Sequence, residues 1–262
     1  TGANGQLGSE IKKLSTNYEN YKFFTPDSSS LDITKHCNVN QYLNDYNINT
    51  VINCAAYTKV DDAESNIELA DSINHLAVGN LAKLSKEKNI NLIHISTDYV
   101  FDGKNNKPYS ESDLPNPQTI YGSTKLEGER VIKKINPVNS IIVRTSWLYS
   151  EFGDNFVNKM LSLAKEKQEI DVVNDQFGSP TRALDLANFV LQILPEINNE
   201  NVELYHYSNL GVCSRYEFAK AIFKLSGIDV KLNSISTKEF LKSTKRPIYS
   251  PLNCSLVTKK FK

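Results

Sequence analysis

A tyrosine and a lysine four residues apart are the side chains in this sequence whose spacing most directly suggests chemistry. Tyr121 and Lys125 belong to the run Tyr121-Gly122-Ser123-Thr124-Lys125, and on a helix this spacing places both on one face. A tyrosine hydroxyl titrates at about pH 10, too high for efficient proton transfer, and a nearby ammonium lowers that pKa. The pair predicts proton transfer between a carbonyl and an alcohol, although the same spacing also arises by chance on surface helices.

Three glycines at the start of the sequence form a second candidate site. Gly2, Gly5 and Gly8 are spaced three residues apart. Glycines at this spacing let a pyrophosphate reach the free N–H groups at the start of a helix. Such a loop usually follows a buried strand, so we expect a first strand immediately upstream of Thr1. The last residues read as the interior of a helix, which suggests a chain that continues past Lys262.

Asp27 is a candidate for the adenosine ribose of a dinucleotide. It lies nineteen residues after Gly8, and a carboxylate at that place accepts hydrogen bonds from ribose hydroxyls and repels a 2′-phosphate. Ser28 follows it, where an arginine could have held that phosphate, so NADH is expected to be at least as acceptable as NADPH. The alternative is that Asp27 serves only the turn Pro26-Asp27-Ser28, where aspartate is common.

Polar or small residues follow two apolar runs of strand length. Thr97 comes directly after residues 91–96, and Ala55 and Ala56 follow residues 49–54. The carboxyl ends of parallel strands face the ligand crevice, so Thr97 is expected to hydrogen-bond a substrate oxygen. The two alanines would let a cofactor lie close over the backbone. Polar clusters of this kind also occur in ordinary turns.

Apolar, β-branched runs alternate with helical patterns over the first 150 residues, which predicts a Rossmann-type doubly wound parallel sheet of the α/β class. The rhythm changes after about Ser150 and favours a smaller C-terminal substrate-binding lobe. We assign residues 1–150 and 176–211 to a dinucleotide-binding domain, and residues 151–175 and 212–262 to the lobe. The predicted strands are 21–24, 49–54, 91–96, 140–144, 170–173 and 203–207. The predicted helices are one that starts with residues 9–14, then 69–86, 124–135, 155–165, 183–194, 214–225 and a short one at 238–241.

The composition excludes several classes of partner. Thirty basic and thirty acidic residues balance, so broad electrostatic binding to nucleic acid or to an anionic membrane is not expected. No stretch approaches the ~20 apolar residues of a membrane span. Four cysteines lie far apart in the sequence, which indicates reduced thiols in a cytoplasmic protein and no zinc site.

Several motifs together resemble the extended short-chain dehydrogenase/reductase family over nearly the whole chain. The resemblance implies an NADPH- or NADH-dependent enzyme that reduces the C4 ketone of dTDP-4-dehydro-6-deoxy-L-mannose to dTDP-L-rhamnose, for cell-surface polysaccharide. It implies a nucleotide-sugar as the partner and a monomer or homodimer. Magnesium is possible, with Glu10 only a remote candidate ligand. The motifs that carry the resemblance are residues 2–8, 53–58, 96–103, 121–129, 144–149 and 175–181.

The same resemblance implies roles for individual residues. Tyr121 is the general acid, Lys125 binds the nicotinamide ribose and tunes Tyr121, and Thr97 holds the carbonyl. The cofactor-binding set is Gly2, Gly5, Gln6, Leu7, Gly8, Asp27, Asp32, Ile33, Ala55, Ala56, Tyr57, Ser96, Tyr121 and Lys125. The substrate-binding set is Thr97, Asp98, Val100, Phe101, Trp147, Asn155, Gln176, Ser179, Thr181, Arg182 and Arg246, with the two arginines as candidates for the diphosphate.

Two alternative functions stay open at this point. The regulatory subunit of methionine adenosyltransferase resembles the same family, so the chain could bind NAD(P) without turnover. The chain could also be another nucleotide-sugar 4-ketoreductase, an epimerase or a dehydratase. The run Thr97-Asp98-Tyr99-Val100-Phe101 argues against the last two, and the sequence does not identify the exact sugar.

Overall fold

The computed structural model describes residues 1–240 and 244–261 of the chain. Its strands are, in chain order, β1 (Thr50–Asn53), β2 (Asn91–Thr97), β3 (Ser140–Thr145), β4 (Leu148–Tyr149), β5 (Glu169–Val173), β6 (Phe177–Gly178), β7 (Thr181–Arg182), β8 (Glu203–His206), β9 (Cys213–Ser214) and β10 (Lys231–Ile235). Its helices are α1 (Gln6–Leu14), α2 (His36–Asp45), α3 (Val60–Ala63), α4 (Ile67–Asp71), α5 (Ala77–Lys88), α6 (Ile120–Ile135), α7 (Phe156–Glu166), α8 (Ala183–Gln192), α9 (Arg215–Ser226) and α10 (Ser255–Lys260).

A parallel sheet with the strand order β1-β2-β3-β8 forms the centre of these described residues. The sheet is buried on both faces, because Ile141 and Val143 of β3 pack with α1 and α8, whereas Ile142 packs with α2 and α5. Strands covered on both faces need continuous apolar runs, and β3 is buried along its whole length. The predicted Rossmann-type α/β fold is confirmed.

Some predicted elements differ from the structure. Residues 21–24 form no strand, since their backbone has no ladder partner in the described chain, and they lie along a groove of about 310 Å³ beside β1. The helix predicted over 69–86 is present with a continuous right-handed helical backbone, but it widens into a π-helical turn, Ser72–Leu76, between α4 and α5. Residues 238–240 are in a turn and a bend and form no helix, and residue 241 lies outside the described residues.

Thr1 pairs with the edge of β1. Its amino group donates to the Ile52 carbonyl at 2.9 Å, and its own carbonyl accepts from the Cys54 N–H at 3.3 Å. This backbone pairing holds the start of the glycine loop beside the end of β1. The expected strand upstream of Thr1 stays a prediction.

A second, smaller unit has its own apolar cluster. Strands β5 and β10 pair in parallel, and helices α7 and α9 pack against them around Met160, Ile170 and Phe223. This separate cluster is the arrangement that a substrate-binding lobe requires, and the lobe boundaries given above stay a prediction. No helix of the described residues is long and apolar enough to cross a membrane.

A buried ionic network fastens α6 to the central sheet. The Arg144 guanidinium of β3 binds the Glu129 carboxylate of α6 through Nε at 2.8 Å and Nη2 at 2.6 Å. The Ser96 hydroxyl of β2 donates to the same carboxylate at 2.5 Å. Arg144 and Glu129 are each about 1% exposed, so each charge depends on the other for compensation.

We expect Glu129→Gln to lower the free energy of unfolding by about 3 kcal/mol, because the Arg144 charge would stay buried without a counter-charge. The matched control is Glu127→Gln on the same helix, whose ion pair with Arg130 is solvent-exposed and is worth less than about 1 kcal/mol. Urea unfolding measures both variants. Equal losses in the two variants would contradict a stabilising role for the buried network.

Candidate active site

A cleft of about 930 Å³ lies at the carboxyl ends of β1, β2 and β3, close to the upper end of the range usual for small-molecule sites. The glycine loop, the start of α1 and the start of α6 form its walls. Most of the predicted site residues line it, namely Gly2, Gly5, Gln6, Leu7, Gly8, Asp27, Asp32, Ile33, Ala55, Ala56, Ser96, Thr97, Asp98, Tyr121, Lys125 and Trp147.

The glycine loop fits the pyrophosphate of a dinucleotide. A Cβ at Gly8 would lie 2.2 Å from the Gly2 carbonyl oxygen, so the loop can close this tightly only with glycine. No side chain caps the N-terminus of α1, which leaves its first N–H groups free for an anion. The Gln6 Oε1 atom is buried and has no hydrogen-bond partner in the described residues. The residues present therefore suit a dinucleotide cofactor.

The start of α6 places Tyr121 beside the end of β2. Thr119 caps this helix by accepting from the Gly122 N–H at 3.0 Å. A Cβ at Gly122 would lie 2.2 Å from the Tyr99 carbonyl oxygen, so only glycine allows the helix to pack this closely on the turn after β2. Burial raises the pKa of Tyr121 above its usual value, and the nearby Thr97 hydroxyl opposes that change.

Lys125 is directed toward the sheet. Its Nζ donates to the Ile95 carbonyl at 2.6 Å and lies 3.3 Å from His94 Nε2. Burial lowers the pKa of Lys125 to about 8, with Glu129 and Cys54 acting in the opposite direction. The expectation that the ammonium lowers the pKa of Tyr121 is not met, because burial has the largest effect on this pKa and raises it.

His94 lies next to the Lys125 ammonium, and Asn53 lies next to His94. The sequence analysis selected neither residue. Asn53 Nδ2 lies 3.0 Å from His94 Nδ1, and both side chains are almost completely buried. Burial and the nearby Lys125 charge hold the pKa of His94 well below its usual value, so His94 is neutral. The only signal in the sequence is a polar residue inside each of two apolar strands.

Asn74 is a further functional candidate that the sequence analysis missed. It lies in the π-helical turn and is fully buried. Its Oδ1 accepts from the Tyr57 N–H at 2.8 Å, and its Nδ2 donates to the Tyr57 carbonyl and to the Thr124 hydroxyl. Asn74 thereby ties the segment after β1 to α6. Tyr57, which was predicted to bind the cofactor, contributes its backbone to this contact. It is not among the described residues that line the cleft.

Two aspartates on the cofactor side hold turns as well as lining the cleft. Asp27 Oδ1 accepts from the N–H groups and hydroxyls of Ser29 and Ser30, and these hydrogen bonds lower its pKa to about 2. Asp32 Oδ1 accepts from the N–H and hydroxyl of Thr34. The turn alternative for Asp27 is therefore present in the structure, and the ribose role stays a prediction beside it.

Asp98 and Trp147, both predicted to bind substrate, line the cleft together with Thr97. Burial raises the pKa of Asp98 to about 6, and hydrogen bonds and the charge of Arg215 oppose the change. Trp147 has a left-handed backbone with φ of 47°, which is rare for a bulky residue and marks a position fixed by its surroundings. Gly178 leaves room for the indole, since a Cβ there would lie 2.3 Å from the ring.

The structure does not bring the rest of the predicted substrate set to the cleft. Val100 and Phe101 are buried in an apolar cluster with Tyr109. Asn155 caps α7 by accepting from the Asn158 N–H. Gln176, Ser179 and Thr181 are buried and hydrogen-bond to Thr237, the Gly211 carbonyl and the Ser179 carbonyl, respectively.

The two predicted diphosphate arginines also lie outside the described lining of the cleft. Arg246 makes a bidentate pair with Asp61 at 2.8 and 3.0 Å and donates to the Tyr99 hydroxyl. Arg182 is exposed at the start of α8. Their assignment to the diphosphate gains no support from these positions, because one guanidinium is already paired and the other faces solvent.

Glu10, the remote candidate for a magnesium ligand, lies in α1. It is 3% exposed and accepts from the Ser150 hydroxyl at 2.7 Å. Within residues 1–240 and 244–261, no group of three or more histidine, cysteine, aspartate or glutamate side chains could hold a metal ion.

The fold and this site define a Rossmann-type reductase of the short-chain dehydrogenase class. The sequence profile of the RmlD substrate binding domain family matches residues 1–262, and the chain belongs to this family.

Similar proteins agree with this assignment. A solved dTDP-4-dehydrorhamnose reductase from Clostridium acetobutylicum is 45% identical, with a TM-score of 0.93 over 98% of this chain and 90% of that one. A second one, from Bacillus anthracis in complex with NADP, is 40% identical, with a TM-score of 0.94 over 99% and 91%. The spore coat polysaccharide biosynthesis protein SpsK of Bacillus subtilis is 40% identical over 97% of this chain and 87% of its own length.

The buried ammonium of Lys125 predicts a particular pH dependence of stability. Its folded pKa of about 8 lies below its usual 10.5, so the unfolded state binds more protons between these values. The stability of the wild type relative to Lys125→Met is therefore expected to rise with pH across this window, by at most about 1.4 kcal/mol per pH unit. Urea unfolding of both proteins from pH 7 to 10.5 measures the difference. Parallel stability curves would show that Lys125 is not desolvated in the folded state.

Proposed function

We propose that this chain reduces the C4 ketone of dTDP-4-dehydro-6-deoxy-L-mannose to dTDP-L-rhamnose with NAD(P)H, as a step toward cell-surface polysaccharide. The observation that carries the proposal is that Thr97, Tyr121 and Lys125 line one cleft together with the glycine loop. The two reductases of 40% and 45% identity support the choice of substrate, since the match extends over nearly the full length of both.

The dinucleotide supplies a hydride when it is bound. Gly2, Gly5 and Gly8 would hold its pyrophosphate against the start of α1, and Ala55 and Ala56 would let its ring system lie close to the end of β1. These contacts would orient the dinucleotide in the cleft, and Thr97 and Tyr121 line the same cleft beside its nicotinamide site.

Tyr121 and Thr97 act on the substrate oxygen. As the C4 carbonyl carbon accepts two electrons with the hydride, its oxygen gains negative charge, and the Tyr121 hydroxyl donates a proton to it. The raised pKa of Tyr121 keeps this hydroxyl protonated at neutral pH, which is the form that a reduction requires. The Thr97 hydroxyl donates to Asp98 Oδ1 at 3.1 Å in the structure. On substrate binding it would turn this one proton to the C4 oxygen and stabilise the developing charge.

Lys125 would position the cofactor through its ammonium group. One of its three donors is used by the Ile95 carbonyl and a second faces His94 Nε2 at 3.3 Å, so the third remains to bind a hydroxyl of the nicotinamide ribose. After it gives up its proton, Tyr121 is left as a phenolate. The hydroxyl is reprotonated from solvent before the next turnover.

Tyr121→Phe removes the proton donor while keeping the ring, so we expect kcat to fall roughly 100- to 10,000-fold with cofactor binding retained. NAD(P)H consumption with the 4-keto sugar nucleotide and fluorescence titration of the cofactor measure the two effects. Tyr205→Phe is the matched control, because Tyr205 is buried in the core with its hydroxyl on Glu203. Cofactor binding by a wild type that never turns over would instead support a regulatory binding subunit.

Asp27→Asn tests the cofactor side of the cleft. Asparagine can keep the hydrogen bonds to Ser29 and Ser30 and removes only the negative charge. We expect the ratio of kcat/KM for NADPH to that for NADH to rise roughly fivefold, the effect of one unit charge at close range in water. Asp45→Asn, an exposed position at the end of α2, is the control. An unchanged ratio for Asp27→Asn would assign this carboxylate to the turn alone.

A further inference from the structure

Arg215 is a cation on the substrate side of the cleft that the sequence analysis did not select. It is the first residue of α9 and lines the cleft with Thr97, Asp98 and Trp147. Its guanidinium carbon lies 3.6 Å from the centre of the Trp147 ring and 5.1 Å from that of Phe156. These distances indicate a guanidinium stacked on an indole, a geometry that holds an arginine in one place.

The aromatic support beneath Arg215 is itself firmly fixed. Phe218 stacks on Phe156 with 5.5 Å between ring centres and lies 6.4 Å from Trp147 in a nearly parallel orientation. The Trp147 carbonyl accepts from the Thr181 N–H, and Gly178 gives the indole its space. Arg215 therefore packs on an aromatic group whose rings come from three places in the fold, namely Trp147 before β4, Phe156 of α7 and Phe218 of α9. The Arg215 side chain has little rotational freedom left to lose when a ligand binds.

The donors of Arg215 are not used by the protein. None of its side-chain nitrogens has a hydrogen-bond partner in residues 1–240 and 244–261, and no carboxylate of those residues lies within ion-pair distance. The N–H groups of a guanidinium lie in its own plane, so stacking on a ring leaves them free. They can then donate hydrogen bonds to the oxygens of a phosphate. Burial lowers the pKa of Arg215 to about 10, so the group is charged at neutral pH.

The cleft must hold two diphosphates if the proposed function is right, one from the dinucleotide and one from the nucleotide-sugar. The first has the uncapped start of α1. Three cationic side chains line the described cleft, and two of them are otherwise engaged, since Lys125 lies beneath Tyr121 and Lys59 lies 3.8 Å from Asp62 at the exposed mouth. Arg215 is the cation that remains for the second diphosphate.

We propose that Arg215, presented on the Trp147 indole, binds the diphosphate of the nucleotide-sugar and is a determinant of substrate affinity. The proposal rests on the proposed function and gives its substrate site an anion-binding residue in place of Arg182 and Arg246. Asp98 lines the same cleft, accepts from the Thr97 hydroxyl at 3.1 Å and lies near enough to Arg215 for the two charges to interact. Under this proposal Arg215 takes the diphosphate and Thr97 takes the reacting carbonyl.

Calorimetric titration of the whole chain with dTDP and with thymidine, in the presence of NADP, tests the assignment. Arg215→Gln is expected to weaken dTDP binding by about tenfold to a hundredfold and to leave thymidine binding unchanged, because only dTDP carries the diphosphate. Arg215→Lys is expected to recover part of the loss, since it keeps the charge without the planar stack. Lys220→Gln, an exposed residue of the same helix, removes one positive charge as the control and is expected to bind dTDP as the wild type does.

Each result decides between specific alternatives. Unchanged dTDP binding by Arg215→Gln would overturn the proposal, and so would an equal loss for dTDP and thymidine, which is what a purely structural role for the stack predicts. If the wild type reduces the 4-keto sugar nucleotide and Arg215→Gln keeps its KM, the proposed function stands and this inference fails. If the wild type neither binds dTDP nor turns over, both fail together.

Discussion

The close approach of α6 to the turn after β2 is the constraint on which the site depends. The Tyr99 carbonyl occupies the space that a Cβ at position 122 would need, so glycine there lets the helix begin against the end of the strand. This contact brings Tyr121 to Thr97. Further along the same helix, the buried pair of Glu129 and Arg144 fixes α6 to β3, and Asn74 fixes it to the segment after β1. Three contacts from three directions therefore hold Tyr121, the proposed proton donor, against the sheet.

Burial then sets the charges in the cleft. It raises the pKa of Tyr121, which keeps this proposed proton donor protonated. It lowers the pKa of Lys125 to about 8, which leaves the ammonium charged at neutral pH but poorly compensated. The neutral ring of His94 supports this ammonium without adding a charge. At the opposite side, the stacked guanidinium of Arg215 supplies a second positive site. The cleft thus holds one cation in the proposed cofactor site and one in the proposed substrate site, which suits two anionic ligands bound side by side.

The sequence predicted the parts of this site that are local in the chain. The i,i+4 spacing of Tyr121 and Lys125, the glycine loop and the threonine after a strand each have a signal of their own, and all meet in the cleft. Val100 and Phe101 were assigned to the substrate by their motif, and the structure buries them, because a short turn after β2 directs them into the core. Arg215 has no local signal, since its stacking partner Trp147 lies 68 residues earlier in the sequence. The effect of burial on Tyr121 likewise depends on surroundings that spacing alone does not give.

A crystal structure of the chain with NADP and the reduced nucleotide-sugar tests the central claim most directly. The account predicts that the C4 hydroxyl of the sugar lies within hydrogen-bond distance of both the Tyr121 and Thr97 hydroxyls, with the sugar C4 facing the nicotinamide. A sugar ring bound elsewhere in the cleft, or a C4 hydroxyl that contacts neither side chain, would contradict it.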